Sequence, residues 1–280
     1  MKEIGVEEIK SISLEILKDV DAFCRKNDIQ YSLAFGTLLG AIRHKGFIPW
    51  DDDADIMLTR QEFEKLCSTF KSNRCGLMYA GNDKDCFIQY ARIYDKKSTV
   101  SLSRRPWFKG NKEVGVWIDV FPVDNAPDNQ EEYYKAYSYM YDLDHKAFES
   151  RAAFTRMSKE YTLRDNLVTI AKKMRYLGGL ISPKCFNRKM AKQINDWSAL
   201  ESETCALLTC YSNTYPPDTM KFKKAWYNEY VDVDFEGFTM RMIKDYDAYL
   251  TNVYGDYMTP PPENKRGRHH SFVRYFEKEQ

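Results

Sequence analysis

The sequence predicts an α/β fold of the α+β type, in which a mixed β-sheet core is flanked by helices and carries an inserted helical subdomain. Two observations support this prediction. Strand-like apolar runs and amphipathic helix-like runs alternate up to about residue 122, and over 131–200 the pattern changes to helical periodicity alone. Elements that alternate in this way usually form one sheet with helices packed on it.

The elements of the predicted sheet lie in the first half of the chain. Apolar residues recur at steps of three and four over 6–26, which predicts an amphipathic helix. A strand at 31–35 should follow, and then a short helix just after Gly36, at 37–42. Further elements are expected at these positions: a helix at 61–70 and strands at 77–80, 87–94 and 114–121, so that the sheet ends near Pro122.

The second half is predicted to be helical first and then to return to strands. Two apolar stripes over 131–200 indicate packed helices. After them we expect a strand at 205–211, a hairpin over 231–240 that turns at Glu236-Gly237, and a helix over 244–254 that stops before three prolines.

These patterns divide the chain into a catalytic core (1–128), a basic helical subdomain (129–200) and a C-terminal part (201–280) that completes the core and carries a basic, histidine-containing tail. The segment 151–198 holds eleven Lys or Arg and three Asp or Glu. Such an excess suits contact with anionic lipid or an acidic glycan. A solvated helix face that balances an acidic site explains it equally well.

Composition narrows the class of protein. The 280 residues include 42 basic and 41 acidic side chains, and a net charge of +1 gives no reason to expect nucleic-acid binding. Seven cysteines without metal-ligand spacing predict neither a disulfide framework nor a zinc site. Acidic residues occupy the N-terminal positions where a signal peptide would be apolar. We therefore expect a cytoplasmic protein, with peripheral contact at the inner face of the membrane left open.

Four acids lie within 51–55, directly ahead of an apolar run. Side chains alternate between the faces of a strand, so Asp51, Asp53 and Asp55 would share one face and Asp52 would point away. An acidic turn is the simpler explanation of such a run taken alone.

A further acid, Asp119, interrupts the otherwise apolar run 115–122. Burying an unpaired carboxylate is costly, and two carboxylates about 4 Å apart repel by about 4 kcal/mol at an effective dielectric constant of about 20. If Asp119 lies beside Asp53 and Asp55, the cluster needs a cation, and hard oxygen ligands favour Mg²⁺ or Mn²⁺. A cap at the end of a strand is the alternative.

Residues suited to phosphate lie close to the acids. Gly36 and Thr37 stand at a strand-to-helix turn, where backbone N–H groups bind anions. Arg43 and Lys45 follow within the same stretch and are the right types to contact phosphate oxygens. Arg92, in a predicted strand, is a further candidate, and a structural ion pair explains it equally well.

The stretch GTLLGAIRHKGFIPWDDDADI, residues 36–56, closely resembles the signature of the LicD family, which includes the fukutin-related proteins. Two further stretches are similar to the same family: WIDVFPVD at 117–124, and YGDYM at 254–258, which leads through two prolines to Lys265-Arg266 and His269-His270. The resemblance runs from about residue 30 to residue 272 and is weak over 131–200. It implies a nucleotidyltransferase fold for the core.

The resemblance also implies an activity: transfer of a phosphorylated alcohol such as phosphocholine from a CDP-linked donor to a hydroxyl of a cell-surface polysaccharide, teichoic acid or lipopolysaccharide, with release of CMP. By motif, Asp53 and Asp55 bind the metal, Asp119 is the third carboxylate and Asp51 assists. Asp119 would also orient or deprotonate the attacking hydroxyl.

The same resemblance assigns the tail to a strap that contacts the phosphates of the donor, through Lys265, Arg266, His269 and His270. A disordered basic terminus is the alternative. If the alcohol is choline, its quaternary ammonium favours an aromatic cage, for which Trp107 and Trp117 are the candidates.

Two other functions fit these residues. A true nucleotidyltransferase, which leaves a nucleoside monophosphate on a sugar or small-molecule acceptor, would use the same acids. A non-catalytic nucleotide-binding subunit of a glycan-assembly complex would lack catalytic groups, and the presence of all of them favours an enzyme.

Overall fold

The computed structural model describes residues 2–82, 88–103, 114–151, 162–176, 180–181, 183–207, 216–267 and 273–278. Within these residues the helices are α1 (Val6–Lys26), α2 (Phe35–His44), α3 (Arg60–Thr69), α4 (Gln130–Ser150), α5 (Leu163–Arg175), α6 (Pro183–Ser198) and α7 (Tyr246–Tyr254). The strands are β1 (Ser32–Leu33), β2 (Asp55–Thr59), β3 (Cys75–Met78), β4 (Ala91–Asp95), β5 (Thr99–Ser103), β6 (Trp117–Asn125), β7 (Thr204–Ala206), β8 (Lys221–Lys223), β9 (Tyr230–Phe235), β10 (Phe238–Ile243) and β11 (Val273–Glu277).

The main sheet confirms the predicted mixed α+β class. Its strands are ordered β1-β2-β6-β4-β3, with β7 paired to β6 and β8 paired to β7. β2 and β6 are parallel, and the other pairs in this sheet are antiparallel. The parallel pair therefore lies at the centre of the sheet, where its register sets Asp55 opposite Asp119.

β6 is central because its sequence leaves it no exposed face. Residues 117–124 are all buried, as expected for a strand that is covered on both sides. On one side α1 packs its apolar stripe against β4 and β6. Ala54, Ile56 and Leu58, which alternate with Asp55 and Met57 along the chain, are fully buried in this core.

The sheet extends further than the sequence predicted. β6 continues past Pro122 to Asn125, because β7 pairs with its last two residues. β5 was missed altogether, since its partner is β11 in the C-terminal tail. Strands that depend on a distant partner carry a weak local signal.

Several element boundaries also differ from the prediction. β1 has two residues, because the chain turns at Phe35 (φ 43°) directly into α2. The helix thus begins at Phe35 with Ala34 as its N-cap, and not after Gly36. Smaller shifts occur at β3, β4 and α7, which begin at Cys75, Ala91 and Tyr246. The strand predicted at 205–211 is β7, and residues 208–211 of it lie outside the described residues.

The helical and hairpin predictions for the second half are confirmed. α4, α5 and α6 occupy the segment expected to be helical, and α4 packs against α6. β9 and β10 form the predicted hairpin, with Glu236 and Gly237 both at positive φ in its turn. The division of the chain into three domains stays a prediction. Among the residues that the structure describes, no helix combines the length and hydropathy needed to cross a bilayer.

Candidate active site

Asp55 and Asp119 lie side by side on the two parallel strands. They are register partners, so both side chains project from the same face of the sheet. The Asp119 N–H donates to the carbonyl of Ala54 at 2.9 Å, and the Asp55 N–H donates to Thr37 Oγ1 at 2.8 Å. The hydrogen bonds that the backbone N–H groups of both acids donate thus fix the positions from which the carboxylates project.

Four of the predicted acids come together in one cleft. Asp51, Asp53, Asp55 and Asp119 all line a cavity of about 480 Å³. Gly36 lines it as well, and a Cβ added to Gly36 would lie 2.5 Å from Asp51 Oδ2. Any larger residue at this position would therefore displace the Asp51 carboxylate, which occupies the space of a side chain.

Asp52 is closer to this cluster than strand alternation predicted. Carboxylate oxygens of Asp51, Asp52 and Asp53 all lie within 4.8 Å of one another. As predicted, Asp52 does not line the cleft with the other four acids. Its carboxylate nevertheless stays near those of Asp51 and Asp53, because residues 51–54 precede β2 and strict alternation does not hold there. Asp52 is thus a metal-ligand candidate that the sequence analysis set aside.

Burial and mutual repulsion act on the acids together. The pKa of Asp53 is raised well above its ordinary value by burial and then by Asp55 and Asp51. The pKa of Asp55 is raised in the same way, by burial and then by Asp119 and Asp51. A cluster of carboxylates that is buried without enough positive charge has these properties, and a bound divalent cation would relieve them.

Arg92 forms an ion pair with Asp119. Its Nε donates to Asp119 Oδ1 at 2.8 Å, and its Nη2 donates to the Tyr90 hydroxyl at 3.0 Å. The guanidinium also lies 4.4 Å from the Trp117 ring. Although burial lowers the pKa of Arg92, Tyr90 and Asp119 outweigh that effect and raise it. Of the two explanations that the sequence left open for Arg92, the ion pair is present.

The basic residues of the cleft come from α2 and from the C-terminal segment. Arg43 Nη1 donates to the Tyr257 carbonyl at 2.6 Å, while Arg43 Nε is buried and has no hydrogen-bond partner among the described residues. Burial lowers the pKa of Arg43, and the nearby charge of Arg266 adds to this effect. Lys265 also lines the cleft. Two guanidinium groups held close together, one with an unused donor, are suited to an anion.

Some predicted phosphate contacts have other positions. The Thr37 hydroxyl accepts from the Asp55 N–H, so it positions the acid. Lys45 is exposed, ends α2 in the left-handed conformation (φ 60°) and does not line the cleft. Arg266 donates from Nε to the Pro261 carbonyl at 2.9 Å. His269 and His270 lie outside the described residues.

The aromatic residues at the cleft differ from the predicted pair. Trp117 is buried between Arg92 and Tyr275, whose ring lies 5.4 Å from it, and it does not line the cleft. Trp107 lies outside the described residues. The cleft is lined instead by these aromatic side chains: Phe35, Trp50, Phe121, Tyr254 and Tyr257. Trp50 adjoins the acidic run and the two tyrosines lie in the YGDYM stretch, so the motifs themselves contained the signal that was missed.

A second cavity, of about 340 Å³, lies between α3, the residues flanking β3 and β4, and α6. Tyr90 lines it, and the Tyr90 ring lies 4.8 Å from Phe121 of the first cleft. Gln89 also lines it, with an amide nitrogen that is buried and has no partner among the described residues. The helical segment therefore reaches a cavity separated from the acids by a pair of aromatic rings.

Comparison with known proteins extends the resemblance over the whole chain. Residues 28–165 match the family described as LicD/FKTN/FKRP, nucleotidyltransferase domain. The chain is 28% identical over 279 residues to the lipopolysaccharide cholinephosphotransferase LicD of Haemophilus influenzae, covering 96% of this chain and 97% of that protein. An uncharacterised protein of Rickettsia typhi is 40% identical over 75 residues, and one of Rickettsia prowazekii is 41% identical over 63 residues. Each of these two alignments covers 24% of the rickettsial protein.

Proposed function

Because the chain belongs to the LicD family, we propose that it is a transferase that moves phosphocholine, or a similar phosphorylated alcohol, from a CDP-linked donor to a hydroxyl of a cell-surface glycan such as lipopolysaccharide. One observation carries the proposal: the four acids, Arg43 and Lys265 line a single cleft. Such a cleft can hold a diphosphate between a metal-binding side and a cationic side.

The acids fit a divalent cation, Mg²⁺ or Mn²⁺. Asp51, Asp53, Asp55 and Asp119 supply hard oxygen ligands, and the raised pKa values of Asp53 and Asp55 reflect a shortage of positive charge. When bound, the ion would neutralise the diphosphate and polarise the phosphorus that is attacked. Asp52 is close enough to Asp51 and Asp53 to contribute an oxygen.

Side chains that line the cleft bind the donor and accept the proton of the acceptor. Arg43 and Lys265, which both line the cleft, hold phosphate oxygens of the donor. Asp119, held by Arg92, accepts the proton of the acceptor hydroxyl. The hydroxyl oxygen forms a bond to the phosphorus of the phospho-alcohol, the bond from that phosphorus to the CMP oxygen breaks, and CMP leaves.

The aromatic wall favours choline among the alcohols. Tyr254 and Tyr257 line the same cleft as the acids, and a quaternary ammonium is attracted to the faces of such rings. The Arg266 guanidinium lies 4.5 Å from the Trp50 ring, so that ring already has a cation on it. We therefore assign the choline ammonium to Tyr254 and Tyr257, and Arg266 to the phosphates of the donor.

The proposal is tested by incubating the protein with CDP-choline, Mg²⁺ and a glycan acceptor and following the products by phosphorus NMR. We expect CMP and a phosphodiester on the acceptor that contains no cytidine. Cytidine on the acceptor, with release of phosphocholine, would identify a nucleotidyltransferase instead. If no CDP-alcohol is turned over, either with the glycan acceptor or by hydrolysis with water, the protein is a non-catalytic binding protein.

Metal-free protein is expected to lose stability as the pH rises above about 4, and Mg²⁺ is expected to prevent this loss. The folded-state pKa values of Asp53 and Asp55 are raised above the ordinary value of 3.8. Between the unfolded and folded pKa values the folded state binds more protons, so the stabilisation present at low pH disappears as the pH passes the folded pKa. The measurement is the melting temperature against pH, in EDTA and in Mg²⁺.

The matched control for this titration is the Asp53→Asn/Asp55→Asn double variant, in which the EDTA and Mg²⁺ curves should nearly coincide. Subtracting its curve from that of the wild type removes the contributions of all other carboxylates. Coinciding curves in the wild type itself would show that the acids bind no divalent ion.

Lys265→Ala is expected to raise the KM for the donor about tenfold and to change kcat less, because one charge-assisted contact to phosphate is removed. Steady-state kinetics with varied CDP-choline measure this, with the exposed Lys223→Ala as the control. A point variant is preferable to deleting the tail, since β11 pairs with β5 and Tyr275 packs on Trp117. An unchanged KM would remove Lys265 from the donor site.

A further inference from the structure

Helix α5 presents its apolar side to solvent. Leu163, Leu167, Ile170 and Met174 follow one another at steps of four, three and four residues, which places them in one stripe along the helix. Their side chains are 76%, 57%, 39% and 74% exposed. Leu180, beyond the end of α5, is 82% exposed.

The side of α5 that faces the protein is polar. Thr169 is its one buried residue, and Asp165 and Lys172 on the same side are partly buried. Lys172 Nζ lies 3.5 Å from Glu149 of α4. A helix that packs on a core for its own stability shows the opposite arrangement, with the apolar stripe inward. A contiguous exposed apolar patch on a protein surface usually marks a site of interaction with a partner or a membrane.

The charges around the stripe are basic. On a helical projection Arg164 and Arg175 flank the stripe on one side and Lys173 flanks it on the other, whereas Asp165 lies on the inward side. Arg175 Nη1 also lies 3.1 Å from Glu149 of α4, so Arg164 and Lys173 supply most of the border charge. The described residues from 162 to 198 contain eight basic and two acidic side chains, a net of +6 against +1 for the whole chain. The border of the apolar stripe on α5 is therefore basic, and the wider segment carries a charge of the same sign.

We propose that α5 is a membrane-surface helix, whose apolar stripe enters the interface of an anionic bilayer while the basic residues that border the stripe contact lipid phosphates. An amphipathic helix with a basic border lies in the plane of such an interface without spanning it. A second copy of the chain is a poorer occupant, because two surfaces of the same positive charge repel each other. The proposal does not depend on the reaction assigned above.

The test is flotation of the full chain with vesicles of phosphatidylcholine, either alone or with roughly a third phosphatidylglycerol. Binding is measured with and without excess free phosphocholine, which would compete with any lipid headgroup that enters the cleft. The test variant is Leu167→Glu/Met174→Glu. The control is Val231→Glu, an exposed apolar residue on the β9–β10 hairpin. Since all these positions are exposed, circular dichroism and melting temperature should not change.

We expect the wild type and Val231→Glu to bind the anionic vesicles and to bind neutral vesicles weakly. Leu167→Glu/Met174→Glu should bind the anionic vesicles at least about tenfold more weakly, since it replaces two apolar contacts by repelled charges. Failure of the wild type to bind, or equal binding by the double variant, overturns the proposal. So does equal binding to both kinds of vesicle. A wild-type dimer that the double variant disperses would assign the stripe to self-association. Because binding is measured without turnover, a failure of the proposed reaction would leave this result unaffected.

Discussion

Asp55→Asn should retain the fold and abolish transfer, with kcat reduced on the order of 10³-fold or more. The amide has the shape of the carboxylate but no charge for a divalent ion, and a metal supplies several kcal/mol of transition-state stabilisation to phosphoryl transfer. The fold fixes the position of Asp55, because its N–H donates to Thr37 and its strand pairs with β6 beside Asp119. Asp53→Asn should have the same effect.

The stability of these variants separates a missing ligand from a damaged fold. Burial and the neighbouring carboxylates disfavour the charged form of Asp55, so removing its charge should raise the melting temperature in EDTA and lessen the further increase that Mg²⁺ gives. Turnover by phosphorus NMR and thermal unfolding with and without Mg²⁺ measure both quantities. Asp142→Asn, at a partly exposed acid of α4, is the control and should keep full activity. Substantial activity in both Asp53→Asn and Asp55→Asn would contradict the assignment.

The acids show which parts of the site could be predicted from sequence. Asp119 was recognisable because a carboxylate in an apolar strand has a high energetic cost unless it is compensated, and that argument needs no structure. Its proximity to Asp55 was only a condition of that argument, and the parallel register of β2 and β6 produces it. The proximity of Asp52 to Asp51 and Asp53 was missed because the alternation rule was applied to residues 51–54, which are not in a strand.

Pairings between distant segments could not be predicted in this way. β5 and β11 are separated by about 170 residues, and a strand pattern does not identify the partner of a strand, so their pairing became visible only in the folded chain. The consequence for the site is large, because this pairing returns Tyr275 to Trp117 and so buries a residue that the sequence offered as part of a choline cage.

The orientation of the apolar stripe of α5 could not be predicted from the sequence either. Its apolar periodicity was read correctly as a helix, and periodicity alone implies that the apolar stripe faces a core. The stripe faces outward because Thr169 and the polar residues beside it occupy the contact with the protein. A hydrophobic pattern thus predicts that a helix has two faces, whereas the partner of each face depends on the rest of the fold.

Arg92→Met is expected to destabilise the protein by about 3–5 kcal/mol, the usual cost of removing one partner from a buried ion pair. Arg92 and Asp119 are both buried, and the guanidinium is also packed against the rings of Tyr90 and Trp117. Methionine keeps much of the volume but leaves Asp119 next to Asp55 without its cation, so repulsion within the cluster rises. Urea unfolding in EDTA measures the loss.

A double-mutant cycle decides whether the pair acts as a unit. Asp119→Asn alone leaves Arg92 buried without a carboxylate, and the Arg92→Met/Asp119→Asn variant removes both charges, so it should be more stable than the sum of the two single losses implies, by about 1–3 kcal/mol. Additive losses would mean that Arg92 stabilises the strand through packing on Trp117 and not through Asp119.

Activity provides an independent test of the role of Arg92. Arg92→Lys keeps the positive charge but loses the planar contact with both rings. If Arg92 holds Asp119 as an ionised proton acceptor, Arg92→Lys should have a higher kcat than Arg92→Met. The arginine then couples stability to catalysis, since the cation that makes burial of Asp119 tolerable is also the one that orients it toward the acceptor.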